Sequence, residues 1–220
     1  METLPRFTDP PKKNDALFLY AGTRPLPFVF CYEQQAVEVV HGPSCKPEAE
    51  IDLERCAADG VAVAARRGGG GTVVLSPGVV VTVVAGRRRG DEMARPVFSR
   101  IHAAMTRLLQ PFCGGSITGE GISDLAVDGR KFCGSSLYLG RNPPLYYYQS
   151  SIMASSDTAL IGRYLKHPPR EPAYRRGRPH AEFCTTLRQA GCRLTPAQIA
   201  AMFTETLKIR LEEEEAAAVG

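Results

Sequence analysis

Four consecutive glycines preceded by two arginines form the most prominent candidate ligand-binding feature of the sequence, within Ala65–Val74, ARRGGGGTVV. Each glycine inside a strand would cost about 0.5–1 kcal/mol relative to alanine, so we expect a loop here. A flexible surface linker is one interpretation, although the flanking segments are β-forming and contain no serine-rich padding. We favour the other interpretation, in which bare backbone amides contact a carboxylate or phosphate ligand.

Two familiar nucleotide-binding loops do not match this segment. A Walker loop needs lysine followed by serine or threonine directly after its last glycine, whereas Gly71 is followed by Thr72 and Val73. The dinucleotide fingerprint leads into a helix, whereas this loop leads into a β-branched run. The glycine segment therefore matches neither of these nucleotide-binding loops.

A lysine after a predicted tight turn is the second candidate feature. Asp128-Gly129 favours a type I′ hairpin between strands predicted at Asp124–Val127 and Lys131–Leu139. Lys131 would then lie just past the turn. Taken alone, such a lysine is most simply a structural surface residue.

Together the two segments resemble the lipoate-protein ligase and octanoyltransferase family, which is related to the biotin protein ligases. The resemblance rests on R-R-x-G-G-G before a β-run, and on a later hairpin with Asp124-Leu125, Gly129-Arg130-Lys131 and Gly134-Ser135. It covers about Val37 to Ile152, and the Pro-Arg-rich stretch with His180 is similar to the tail of compact members. After Leu165 too few residues remain for the accessory domain of full ligases.

The resemblance implies a mixed, largely antiparallel sheet with flanking helices and a narrow acyl tunnel, which we expect near Val73, Val83 and Leu137. It also implies activation of lipoate or octanoate with ATP and Mg²⁺ to an acyl-adenylate, then transfer to a lysine of a lipoyl domain. Lys131 would be the catalytic cation. The other residues implied to bind substrate, nucleotide or metal are Arg66, Arg67, Gly69, Gly70, Gly71, Thr72, Asp124, Gly134 and Ser135.

Two alternatives to the ligase stay open. Many members have histidine and aspartate where this chain has Leu75, Ser76 and Pro77. This difference weakens the inference of ATP use and leaves open an ATP-independent transferase that forms a cysteine thioester. Cys113 would be its nucleophile, activated by Lys131, with Cys184 second and Cys133 a packing residue. The other alternative is a non-catalytic acyl-binding module. The chain would act with a lipoyl-domain acceptor, and with a separate accessory protein or acyl carrier protein.

The remaining pattern predicts an α+β domain over residues 15–210, between a disordered segment at 1–14 and a frayed acidic tail at 211–220. The predicted strands are Phe28–Tyr32, Ala36–Val40, Val61–Ala65, Thr72–Leu75, Val79–Ala85, Asp124–Val127, Lys131–Leu139 and Leu145–Met153. The predicted helices are Pro47–Asp59, Asp91–Gln110, Asp157–Leu165 and one opened by a Thr195/Gln198 capping box.

Composition excludes several other classes. The 220 residues are 44% hydrophobic and 23% charged, which is typical of a folded globular protein. The seven cysteines and four histidines lack metal-binding spacing, so we expect no metal site formed by these residues. We also expect the thiols to be reduced. A net charge of +4 does not call for a nucleic-acid partner. We interpret the arginine clusters as solvated surface; they are Arg87–Arg89 and Arg175, Arg176 and Arg178. With no apolar run long enough for a membrane, we expect a cytoplasmic protein.

Overall fold

A computed structural model describes residues 16–217. Its strands are β1 (Phe28–Glu33), β2 (Glu38–His41), β3 (Ala62–Ala65), β4 (Val73–Leu75), β5 (Val79–Arg87), β6 (Ile117–Glu120), β7 (Asp124–Val127), β8 (Arg130–Leu139) and β9 (Leu145–Met153). Its helices are α1 (Ala16–Gly22), α2 (Pro47–Glu50), α3 (Leu53–Ala58), α4 (Ala94–Leu109), α5 (Ala159–Tyr164), α6 (His180–Phe183), α7 (Pro196–Met202) and α8 (Lys208–Ala217). A π-helical turn, Phe203–Leu207, joins α7 to α8.

The strands form two sheets. Six strands in the order β1-β5-β9-β8-β7-β6 form an antiparallel sheet, and β3-β2-β4 form a smaller one in which β2 and β3 run parallel. The predicted α+β class with a mixed, largely antiparallel arrangement is confirmed. Strand β6, which the sequence analysis missed, extends the large sheet beyond the lysine hairpin.

Strand alternation gives the large sheet two apolar faces, and each is covered. On one face Ile101 and Met105 of α4 join a core with Val84 and Tyr148. The three- and four-residue spacing of the apolar positions in α4 explains why this helix covers the sheet. On the other face Leu75 and its neighbours from the small sheet pack against β5. The space between the two sheets is therefore where a ligand-binding cleft can form.

Several local predictions are confirmed because their determinants lie within a few residues. Asp128 and Gly129 have φ angles of 48° and 73°, as a type I′ turn requires. Thr195 and Gln198 form the predicted capping box, with hydrogen bonds in both directions. The glycine loop does connect β3 to β4.

The single helix predicted over 47–59 is wrong in its middle. It divides into α2 and α3 because Ile51 adopts an extended conformation, is 1% exposed and bridges to Leu165. Asp52 then caps α3 by accepting a hydrogen bond from the Arg55 amide. Burial of one isoleucine against a distant segment thus outweighs local helix propensity.

The ends of the chain are described only in part. The predicted disordered segment, 1–14, lies outside the described residues. Helix α8 reaches Ala217, and Leu211 is buried in the core beside α4, so the predicted frayed tail, 211–220, begins within a helix. Between residues 16 and 217, none of the helices combines the length and apolarity needed to cross a bilayer.

Candidate active site

A cleft lies between the glycine loop with β4 on one side and β7, β8 and β9 on the other. It has an outer lobe of about 240 Å³ and a smaller inner lobe of about 80 Å³. Both lobes are lined by Gly71, Thr72, Val73, Ser123, Asp124, Lys131, Gly134 and Ser151. The structure therefore brings the end of the glycine loop and the lysine hairpin, which are distant in sequence, to the same cavity.

Lys131 is held in place by a carboxylate that is itself anchored. Its Nζ lies 2.8 Å from Oδ1 of Asp124, whose other oxygen accepts a 2.8 Å hydrogen bond from the Tyr174 hydroxyl. Burial alone would lower the pKa of Lys131, but the charge and hydrogen bond of Asp124 outweigh it and raise that pKa. Burial, together with the Asp124 charge, raises the pKa of Tyr174. The site therefore contains a fixed ammonium and a neutral phenol.

Gly134 makes room for this ammonium. A Cβ at this position would lie 2.9 Å from Nζ of Lys131, so a side chain there would displace the lysine. Strand pairing places Gly134 opposite Asp124 on β7 and opposite Ser151 on β9. The glycine after the lysine is thus explained by close packing of the lysine side chain over the sheet.

Arg66 organises the glycine loop from within. Its guanidinium is buried and donates hydrogen bonds to the carbonyl oxygens of Val40 (3.2 Å), Gly69 (3.3 Å) and Gly71 (2.7 Å). Burial lowers the pKa of Arg66 to about 10, so it remains a cation at neutral pH. Arg66 also lines the inner lobe, but its donors serve mainly to shape the loop.

The glycines have different roles. Gly71 lines both lobes of the cleft. The Gly69 amide donates to the Leu137 carbonyl and is engaged within the protein. Gly70 has a φ of +111°, and a Cβ added to Gly42 would collide with its carbonyl oxygen. Two of the three glycines predicted to meet the ligand thus shape the loop, and Gly71 faces the cavity.

Thr72 and Ser135 line the cleft but have their hydroxyl groups engaged. The Thr72 hydroxyl donates a 2.8 Å hydrogen bond to Glu50. The Ser135 hydroxyl forms hydrogen bonds with the Tyr148 hydroxyl (2.8 Å) and with Nε2 of His102 (3.0 Å). Burial lowers the pKa of His102 to about 4, although the Asp124 charge acts in the opposite direction.

Three other predicted residues lie away from the cleft lining. The Arg67 guanidinium carbon lies 4.4 Å from the ring centroid of Phe18, on the aromatic side of the loop. Cys113 packs against the main core, where burial and Cys192 raise its pKa to about 12. Leu137, expected near the acyl tunnel, packs on the α4 side of the sheet because alternate residues face opposite ways.

The segment after α5 contributes a wall that the sequence analysis missed. Arg175, interpreted there as solvated surface, is 4% exposed and lines the outer lobe, so that interpretation is wrong for this residue. Its Nε donates to the Arg178 carbonyl, and its guanidinium lies 4.8 Å from the Phe183 ring centroid. Lys166, Arg170 and His180 also line this lobe. A clue lay in the sequence: the same Pro-Arg-rich stretch resembled the family's tail.

Cys184 is the thiol at the cleft. Residue 184 forms an isolated β-bridge with Lys131, and the next amide, that of Thr185, donates 2.9 Å to the Lys131 carbonyl. Burial raises the pKa of Cys184, although Lys131 acts to lower it.

The described residues that line the cleft do not form a metal site by themselves. Within residues 16–217 no group of three or more histidine, cysteine, aspartate or glutamate side chains is placed to hold a metal ion. Both Asp124 oxygens already have partners. A magnesium ion that arrives with nucleotide phosphates needs only one or two carboxylates. Because Asp124 is engaged by Lys131 and Tyr174, Glu50, which also lines the outer lobe, is the residue that would assist such an ion.

Solved structures share this architecture. A chain of the bipartite lipoate protein ligase system of Thermoplasma acidophilum, studied with its E2 lipoyl domain, is 16% identical, with a TM-score of 0.73 over 88% of this chain and 75% of that chain. Lipoate-protein ligase A bound with ATP is 16% identical, with a TM-score of 0.71 over 84% and 73%. LipL1 of P. falciparum in complex with lipoate is 16% identical, with a TM-score of 0.67 over 86% and 48%.

The fold is thus that of lipoate-protein ligase catalytic domains. A search of curated protein sequences gave no significant match. The sequence profile of the lipoyl protein ligase A/B catalytic domain matches residues 15–208, and the chain belongs to this family.

Proposed function

We propose that the protein activates lipoate or octanoate as an acyl-adenylate and transfers the acyl group to a lysine of a lipoyl domain. The observation that carries this proposal is the position of Lys131. Its ammonium is fixed 2.8 Å from Asp124 and lies, with Gly71, where the two lobes of the cleft meet. One lobe would then hold the acyl chain and the other the nucleotide.

Both steps of this reaction develop negative charge at that junction. In the first, a carboxylate oxygen attacks the α-phosphorus of ATP and pyrophosphate leaves. In the second, the neutral amine of the acceptor lysine attacks the acyl carbon, AMP leaves with the electrons of the broken C–O bond, and the amine proton passes to solvent. A preorganised cation stabilises the charge in both transition states and holds the reacting groups together. Lys131 suits this role because Asp124 prevents it from moving away.

The outer lobe suits a nucleotide. Its wall is basic because it contains Lys166, Arg170 and Arg175. Its apolar surface, which suits a base, comes from Val74, Ile161 and Phe183. ATP bound to a protein of the same fold supports the nucleotide as co-substrate here. We propose Mg²⁺ as the ion that accompanies it.

The acceptor we propose is a lipoyl domain, because a ligase system of the same fold acts with an E2 lipoyl domain. That system is bipartite, which supports the need for a separate accessory protein here. The exchange and transfer assays should therefore be run with this protein alone and again with a candidate accessory protein added.

The decisive experiment is ATP–pyrophosphate exchange with lipoate or octanoate, followed by mass spectrometry of a lipoyl-domain acceptor. We expect acid-dependent exchange and acylated lysine. Lys131→Met should lower the exchange rate at least about 100-fold, the size typical of removing a donor to a developing charge. Lys46→Met, which alters an exposed lysine at the start of α2, is the matched control and should behave as wild type. Acid binding without exchange or transfer would instead support the non-catalytic module.

The cysteine-dependent transferase remains the second candidate, and the structure favours Cys184 over Cys113 as its nucleophile. Cys184 lines the outer lobe beside Lys131, whereas Cys113 packs in the core. Its raised pKa opposes thiolate formation, which is why we rank this mechanism below the ligase. A hydroxylamine-sensitive acyl adduct formed without ATP and lost in Cys184→Ala would establish it.

A further inference from the structure

Most of the residues that line the inner lobe have polar side chains, although the sequence analysis expects a tunnel for an acyl chain. Among the described residues that line it, only Val73 and Leu75 carry aliphatic side chains. Most of the others carry hydroxyl, amide or charged groups, including Ser136, Gln149 and Ser151. An unsubstituted eight-carbon chain would desolvate these groups without offering them hydrogen bonds.

Gln149 is the central residue of this polar surface. It is 1% exposed, and its Nε2 donates a 3.1 Å hydrogen bond to the Tyr147 hydroxyl. The side-chain oxygen Oε1 is buried and accepts no hydrogen bond from the residues the structure describes. Turning the amide over would only exchange the groups, leaving its NH₂ unpaired instead. A buried polar group without a partner is costly, and a ligand that supplies the partner removes that cost.

Strand register fixes where the partner must lie on a ligand. Gln149 pairs with Ser136, and the next pair on the same face, toward Lys131, is Ser151 with Gly134. Because Gly134 is the residue over which the Lys131 ammonium packs, Gln149 lies about two strand residues, or about 7 Å, beyond the carboxyl-binding end. A carboxylate at Lys131 would thus place a mid-chain carbon beside Gln149.

We infer that the inner lobe selects a carboxylic acid that carries a hydroxyl or similar hydrogen-bonding group several carbons from its carboxyl group. This inference rests on the proposed function for the position of the carboxylate, and it extends the substrate class from lipoate and octanoate to hydroxylated acids of similar length. A hydroxyl fits best because it both donates and accepts, and so it satisfies the Gln149 amide in either orientation.

The test is calorimetric binding of octanoate, lipoate and the series of monohydroxyoctanoates substituted from carbon 4 to carbon 8. We expect one or more hydroxy acids to bind at least about tenfold more tightly than octanoate, since sites built around a buried hydrogen-bonding group discriminate strongly against analogues that lack its partner. Octanoate binding as tightly as every hydroxy acid, or no binding of any acid, would overturn the inference.

Two variants assign the preference to Gln149. Gln149→Leu should abolish the hydroxyl preference while octanoate binds as well as before or better. Thr82→Val is the control, because Thr82 is equally buried in β5 of the same sheet but hydrogen-bonds Cys31 on the opposite face. An unchanged preference in Gln149→Leu would refute the role of this residue. If the variant does not fold, the wild-type series alone still decides.

The two proposals can fail separately. Exchange with octanoate and no gain from any hydroxyl would leave the ligase proposal standing and remove this one. Selective binding of a hydroxy acid with neither exchange nor transfer would do the reverse.

Discussion

Replacing His102 with a residue that does not titrate should make the free energy of unfolding less sensitive to acid. His102 lies on α4, is 6% exposed and has a pKa lowered by burial from 6.5 to about 4. Between those pH values the unfolded chain binds a proton that the folded protein does not. The free energy of unfolding therefore falls as pH decreases from about 6.5 to about 4. The difference between the two pKa values corresponds to about 3 kcal/mol at full development.

The variant His102→Gln keeps an N–H that can donate to Ser135 but cannot titrate. Urea denaturation followed by circular dichroism at several values between pH 7.5 and 4 measures the free energy of unfolding of both proteins. We expect the wild type to lose about 3 kcal/mol more than His102→Gln over this range. The carboxylates titrate in both proteins, so their contribution cancels in the comparison.

Met105→Leu is the matched control, since Met105 is a buried neighbour on the same helix and does not titrate. It should shift the stability at every pH by a similar amount and retain the wild-type dependence. Parallel curves for wild type and His102→Gln would show that His102 is not held neutral by burial, and the reasoning would be refuted.

Two further predictions concern the glycine loop and the thiols. Gly42→Ala should displace the Gly70 carbonyl, with which the new Cβ would collide, and so lower both kcat/KM and Tm. A Cβ at Gly69 meets nothing within 4 Å, so Gly69→Ala should leave Tm nearly unchanged in a thermal melt. Equal Tm values for the two variants would contradict this account. Cys113→Ala should retain wild-type acyl transfer in a lipoyl-domain assay, because Cys113 packs outside the cleft; loss of transfer in a folded variant would restore it as a candidate nucleophile.

The sequence determined those features whose causes are local. Asp128 and Gly129 define the hairpin turn, Thr195 and Gln198 define a helix start, and the glycine run excludes a strand. Each depends on backbone freedom or hydrogen bonds within a few residues. The paired motifs also indicated the family, because their order and separation along the chain are readable without coordinates.

The tertiary structure decided which side chains face the cleft. Arg66 and Arg67 are adjacent, yet one binds loop carbonyls and the other packs on an aromatic ring, because neighbouring residues point in different directions from the backbone. Arg175 is buried over the Phe183 ring of its own segment, and Gln149 faces the inner lobe through its pairing with β8. These outcomes depend on which segments pair and pack against one another in the folded protein, and a short stretch of sequence does not specify that by itself.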